Sequence, residues 1–184
     1  GAEVTVVDVN LSRLTPFTLP PLKARTIFST PAAIEREIAD ADLVVGAVLI
    51  PGALAPKLIS RPMLGSMQKG SVIVDICIDQ GGFAESSRPT TISEPTYADS
   101  GVVHYCVTNM PALVPRTSTI ALTNATLSYI QTIADLGIDG ALRKNLPMLR
   151  SLTSYQGHLT NSVIGEAVGL PALDEAGRDE LVGR

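Results

Sequence analysis

Val72-Ile-Val-Asp-Ile-Cys-Ile-Asp-Gln-Gly-Gly82 decides the fold. Its Val/Ile-rich start reads as a strand of a parallel sheet buried on both faces, and the paired glycines mark a turn at the strand's carboxyl end. Two carboxylates interrupt the apolar run. An unpartnered carboxylate is costly to bury, so Asp75 and Asp79 must find donors or open onto a site. Asp75 lies mid-strand and reads as a structural carboxylate satisfied by backbone or hydroxyl groups. Asp79 stands at the exit, followed by glycines that let backbone approach a ligand closely. There it can bond a substrate amine or a water, or shuttle a proton, although placement alone leaves a structural role equally open.

Working outward, further strand-like runs occur at Val4–Val7, Thr26–Phe28, Leu43–Ala47 and Val102–Cys106. Helical patterns separate several of them. Pro31–Ala39 spaces Ile34 and Ile38 four residues apart, and Pro62–Gln68 runs towards Gly70 as its closing glycine. Alternation of this kind predicts a doubly wound α/β fold built on a parallel sheet. Thr15–Pro21 holds three prolines, so any helix after the first strand is expected to be short or broken and this segment to be a loop. From Thr117 the pattern is helical, with a long helix over Thr119–Gly137 and no later strand expected. Asn109–Pro115 is the candidate boundary, which gives a sheet domain over residues 1–116 and a helical segment over 117–184. The polar tail from Asp174 is expected to fray.

Composition excludes several classes. The 184 residues are 45% hydrophobic, which supports a packed core rather than disorder. The net charge of -4 arises without a basic cluster, so nucleic acid is not an expected partner. Apolar runs such as Leu43–Pro51 fall short of the roughly 20 residues that cross a bilayer, and no targeting pattern is visible. Cys77 and Cys106 lie in apolar runs without ligand spacing and read as buried thiols in a reducing compartment, the cytoplasm. No metal site is expected.

In open α/β sheets, ligands bind beyond the carboxyl ends of parallel strands. Asp8 ends the first strand, where a carboxylate can accept the two hydroxyls of an adenosine ribose and repel a 2′-phosphate. An Asp capping the next turn is the equal alternative. A glycine-rich phosphate loop would lie about 20 residues earlier, before Gly1, and with it the first strand of such a sheet; the chain reads as a piece. Gly46–Gly52 runs into a Pro-Gly turn, which by itself reads as structural. Lys57 reads as a solvated surface charge, His104 as a core histidine, and His158 as a junction residue without metal spacing.

Four ordered segments, Ala41–Lys57, Gly70–Gly82, Ser87–Thr91 and Asn109–Thr119, together resemble the alanine dehydrogenase and pyridine nucleotide transhydrogenase family, over Gly1 to about Pro171. The resemblance implies a Rossmann-type NAD domain, here without its first strand and glycine loop, followed by helices that return to a substrate domain. It implies that Asp8 and Arg13 hold the adenosine end, and that Ser29, Val48 and Leu49 line the adenine and ribose pocket. Ile76, Cys77, Ile78 and Asp79, with Val107, Asn109 and Met110, would surround the nicotinamide. Asp79 would be catalytic in the reversible deamination of L-alanine to pyruvate and ammonia. The transhydrogenase branch typically lacks that carboxylate, so Asp79 favours the dehydrogenase over the NAD(H)-binding subunit of a proton-translocating transhydrogenase. A third reading, a non-catalytic nucleotide-binding or oligomerisation module, rests on the missing glycine loop. The family commonly forms hexamers through its NAD domain. Its catalytic histidine and carboxylate-gripping lysine and arginine match nothing in this chain, and the proline-rich Thr15–Pro21 replaces a usually helical stretch.

These readings predict that the 184-residue chain alone is inactive and binds NADH weakly or not at all. Calorimetric titration checks this, and micromolar affinity would overturn it.

Overall fold

The computed structural model describes residues 1–183, which divide into two compact units: Gly1–Leu49 with Leu54–Asn109, and Ile50–Ala53 with Met110 onward. The first unit carries the strands expected from sequence. β1 (Thr5–Asp8) pairs in parallel with β2 (Arg25–Phe28) as one sheet. A second sheet has the order β3-β4-β6-β5, with β3 (Leu43–Gly46), β4 (Val72–Asp75) and β6 (Val102–Tyr105) parallel.

The strand β5 (Thr96–Asp99) was not expected, and it runs antiparallel to β6 at the sheet edge. Its turn explains it: Ser100 and Gly101 both have positive φ (55° and 84°), the two-residue geometry whose twist suits a tight hairpin. Helix α2 (Pro31–Ala39) has the expected bounds, with Thr30 Oγ1 accepting the Ala33 amide as its cap. Two other readings are corrected. Residues 11–18 form a helix, α1 (Leu11–Thr18), short as expected and capped by Asn10, but it runs through Pro16 to Thr18, so the expected loop is found only from Leu19. The short α3 (Arg61–Ser66) starts at the Ser60 cap and ends before Gly70, which instead turns the chain into β4 and donates its amide to the Gly101 carbonyl.

Alternation along β4 sets the core. Ile73 and Asp75 are fully buried while Val72 and Val74 are half-buried. Ile73 packs with Ile38, Ile59, Leu64, Met67, Phe83 and Val102, so α2, α3 and the loop after β4 cover this face. On the opposite face of β3, Leu43 and Val45 remain exposed. His104 is enclosed on β6: Nδ1 bonds the Val102 carbonyl, Nε2 meets Ser86 Oγ at 2.8 Å, and Tyr97 stacks on the ring. Burial pushes its pKa down, so the imidazole is neutral and structural, as the sequence implied.

In the second unit, α4 (Pro115–Lys144) is broken at Gly137, whose φ of 67° and ψ of 171° leave the helical region where the sequence placed a closing glycine. Two expectations fail here. A hairpin, β6 being followed by β7 (Ser154–Tyr155) and β8 (His158–Leu159), interrupts the helices through a Gln156-Gly157 turn. The tail does not fray over residues 175–181: Asp174 caps α7 (Glu175–Leu181), and Val182 packs with Leu142 and Leu149. The remaining helices are α5 (Leu146–Ser151) and α6 (Ser162–Val168), each capped by an asparagine. No described helix is long and apolar enough to cross a membrane.

Gly46 is the tightest point of the first unit. A Cβ built there would meet the Phe83 ring at 2.0 Å, and Phe83 is itself buried in the core. Gly46→Ala is therefore expected to cost about 3 kcal/mol of stability through overpacking, measured as a lowered urea midpoint. An unchanged midpoint would show that the ring can move aside.

Candidate functional site

Strand exits organise the candidate residues. β1 and β2 end side by side: Asp8 pairs with Phe28 in the register, and the Ser29 amide donates to the Asp8 carbonyl at 3.0 Å. Asp8 Oδ1 accepts the Asn10 amide at 2.7 Å, so the capping role left open by sequence is real. Its Oδ2 has no hydrogen-bond partner among the described residues. Arg13 is exposed on the first turn of α1, the helix that leaves this strand end.

Beyond β3 and β4 the chain forms a second cluster. The Ile76 amide donates to the Gly46 carbonyl at 2.9 Å, which ties the two strand exits together. Ile76 and Leu49 are exposed apolar side chains, while Val48 is half-buried and packs on the core. Cys77 and Ile78 are buried. Burial, with the neighbouring Asp75 carboxylate, raises the Cys77 pKa and keeps it a thiol. Asp79 sits in a single 3-10 turn, Ile78–Gln80, and is exposed. Its Oδ2 lies 3.5 Å from the Asn109 amide, a long contact from a residue held at φ 52° after buried Val107. Met110 begins the second unit, in the turn Met110–Leu113.

Asp75 is what holds this turn. Its fully buried carboxylate accepts the Phe83 amide at 3.0 Å, Ser87 Oγ at 2.5 Å and the Cys77 thiol at 3.2 Å. The structural reading of Asp75 is thus satisfied by the backbone and hydroxyl donors expected. Gly82 also has a structural purpose that was not expected. Gly82, at φ 77°, would place a Cβ 2.6 Å from both Asp75 Oδ2 and Ser87 Cβ, so it makes room for the carboxylate.

Lys57 is exposed, as expected of a surface charge, yet it has partners that the sequence reading missed. Its Nζ donates to the carbonyls of Gly81, Gly82 and Ala84 at 2.5–3.2 Å. A signal was present: two consecutive glycines after a strand exit leave carbonyls without ladder partners, and such groups need donors. Which donor supplies them depends on chain folding across 24 residues or more, which spacing does not reveal. His158 is exposed on β8, and no group of three or more metal-ligating side chains occurs among the described residues.

Comparison with known proteins places these features. The family described as Alanine dehydrogenase/PNT, C-terminal domain, matches residues 1–162. Alanine dehydrogenase of Halomonas elongata is 50% identical over 179 residues, covering 96% of this chain and 48% of that protein. The Lysinibacillus sphaericus enzyme is 50% identical over 184 residues, covering 99% and 49% respectively. Among solved structures, an L-alanine dehydrogenase superposes with a TM-score of 0.77 at 40% identity, over 92% of this chain and 47% of that one. A transhydrogenase from Sinorhizobium meliloti gives 0.64 at 26% identity, over 76% and 40%. The chain spans about half the length of the curated relatives it matches. With a matching profile over most of its residues and a Rossmann-type mixed sheet, the chain belongs to the alanine dehydrogenase/PNT C-terminal domain family.

Proposed function

We propose that residues 1–116 serve as the NAD-binding domain, and 117–184 as the return segment of the substrate domain, of an NAD-dependent alanine dehydrogenase. The observation that carries this reading is Asp79: an exposed carboxylate on a braced turn at the carboxyl end of a central parallel strand. Half-identity to curated alanine dehydrogenases, against 26% for the transhydrogenase structure, favours the dehydrogenase over the transhydrogenase reading.

The residues fit the cofactor. Asp8 keeps one carboxylate oxygen for ribose hydroxyls beside Ser29, and Arg13 lies at the same strand end for the adenosine side. Leu49 and Ile76 offer exposed apolar surface at the exits of β3 and β4, and Asn109 lies on the nicotinamide side of this reading, against Asp79. When bound, NAD supplies the hydride acceptor for the Cα of L-alanine. Asp79 does the rest of this chain's chemistry. Its carboxylate accepts an N–H of the substrate amine, which orients Cα, and takes a proton from the water that adds to the resulting iminium carbon on the way to pyruvate and ammonia. The Asn109 amide steadies that carboxylate. Hexamers formed through the NAD domain, in the cytoplasm, complete the reading.

Asp79→Asn keeps the shape of the side chain and removes the base. In the natural full-length product it is expected to lower kcat for alanine-dependent NADH formation by about a hundredfold or more, with KM for NAD little changed. Retained turnover would remove Asp79 from the mechanism. Asp8→Ser is expected to lower the NAD-over-NADP ratio of kcat/KM by about tenfold, because the carboxylate no longer repels a 2′-phosphate. An unchanged ratio would assign Asp8 to capping alone.

A further inference from the structure

The turn after Asp79 has an unusual backbone balance. Its amides are satisfied from within: Gly81 donates to Ile78, Gly82 to Cys77, and Phe83 to the Asp75 carboxylate. Its carbonyls are satisfied from one neighbouring segment, Ala55–Ile59. The Ala55 amide donates to Gln80, the Leu58 and Ile59 amides donate to Phe83, and the Lys57 ammonium takes Gly81, Gly82 and Ala84. Every carbonyl from Gln80 to Ala84 thus has a donor from this segment, and a single side chain serves three of them. Lys57 Nζ lies within hydrogen-bonding distance of all three oxygens; those of Gly81 and Gly82, where φ is positive (91° and 77°), accept no backbone N–H among the described residues, while that of Ala84 also accepts the Ser87 amide. An ammonium with three N–H bonds matches three converging carbonyls, whereas the planar guanidinium of arginine does not.

We infer that Lys57 is a positioning residue for Asp79. By gathering the Gly81, Gly82 and Ala84 carbonyls it fixes the turn that begins at Ile78 and sets where the Asp79 carboxylate stands. It also joins this turn to Ala55–Ile59, so that the Asp79 turn is bonded to a second stretch of chain. This inference rests on Asp79 as the proton-handling carboxylate of the proposed reaction.

The test uses Lys57→Met in the natural full-length product, which keeps the aliphatic stem and deletes the three donors. Amide hydrogen exchange at Gly81, Gly82 and Phe83 is expected to rise by about tenfold or more while Ile73 and Val74 in β4 are unaffected. In steady-state kinetics, kcat should fall by about tenfold or more with KM for NAD within about twofold. Lys57→Arg, which keeps the charge, should give intermediate values in both measurements and carries the test if the Met variant does not fold. Unchanged exchange in the turn would overturn the inference, as would a variant that loosens the turn yet keeps full kcat. Asp79→Asn serves as the control, because it should leave the exchange pattern intact. Full activity in that variant would sink the catalytic assignment of Asp79 without altering the exchange result for Lys57.

Discussion

One buried carboxylate governs the first unit. Asp75 has no solvent exposure, and its cost in the apolar interior is met by an amide, a hydroxyl and a thiol that all come from residues following it in the chain. Those donors lie on the segment 77–87, which must therefore fold back over the end of β4. Gly82 lacks a side chain because the carboxylate fills that space, and Gly46 lacks one because Phe83, whose amide Asp75 holds, occupies the space above β3. The charge thus fixes a loop that apolar packing alone would leave free to choose among several positions.

Asp75 and Asp79 show how the same side chain acquires opposite roles four residues apart. Asp75 points with Ile73 to the covered face of the sheet and is fully paired. Asp79 lies past the end of the ladder, in a turn whose apolar neighbour Ile78 faces inward, so its own side chain is displayed outward. A rigid support and an exposed tip are what the proton handling proposed for Asp79 would require, since distance to the reacting atoms sets the rate.

The exposed apolar residues have a pattern. Leu43 and Val45 are exposed on β3 in the first unit, and, separately, Ile120, Leu122, Leu127 and Ile130 are exposed on α4 in the second. The curated relatives are about twice as long as this chain, and the second unit, with its small cluster of Leu142, Leu149 and Val182, has modest core of its own. The first stretch of α4 opens on Pro115 without a side-chain cap, and the buried residues of this helix, Ala141 and Leu142, lie in its last turn.

The sequence by itself determined the parallel strands, α2, the break at Gly137, the burial of His104 and both thiols, and the structural pairing of Asp75. Each follows from local period, from glycine, or from the cost of burying charge. What it could not determine were features fixed at a distance or by subtle local geometry. The hairpin strands β5 and β8 needed pairing partners before their short, weakly apolar runs meant anything, and α7 needed Val182 to meet Leu142 and Leu149. Only tertiary structure gave Lys57 its role, because a lysine's reach spans many possible acceptors and the three carbonyls that hold it converge only once Ala55–Ile59 lies along Gln80–Ala84.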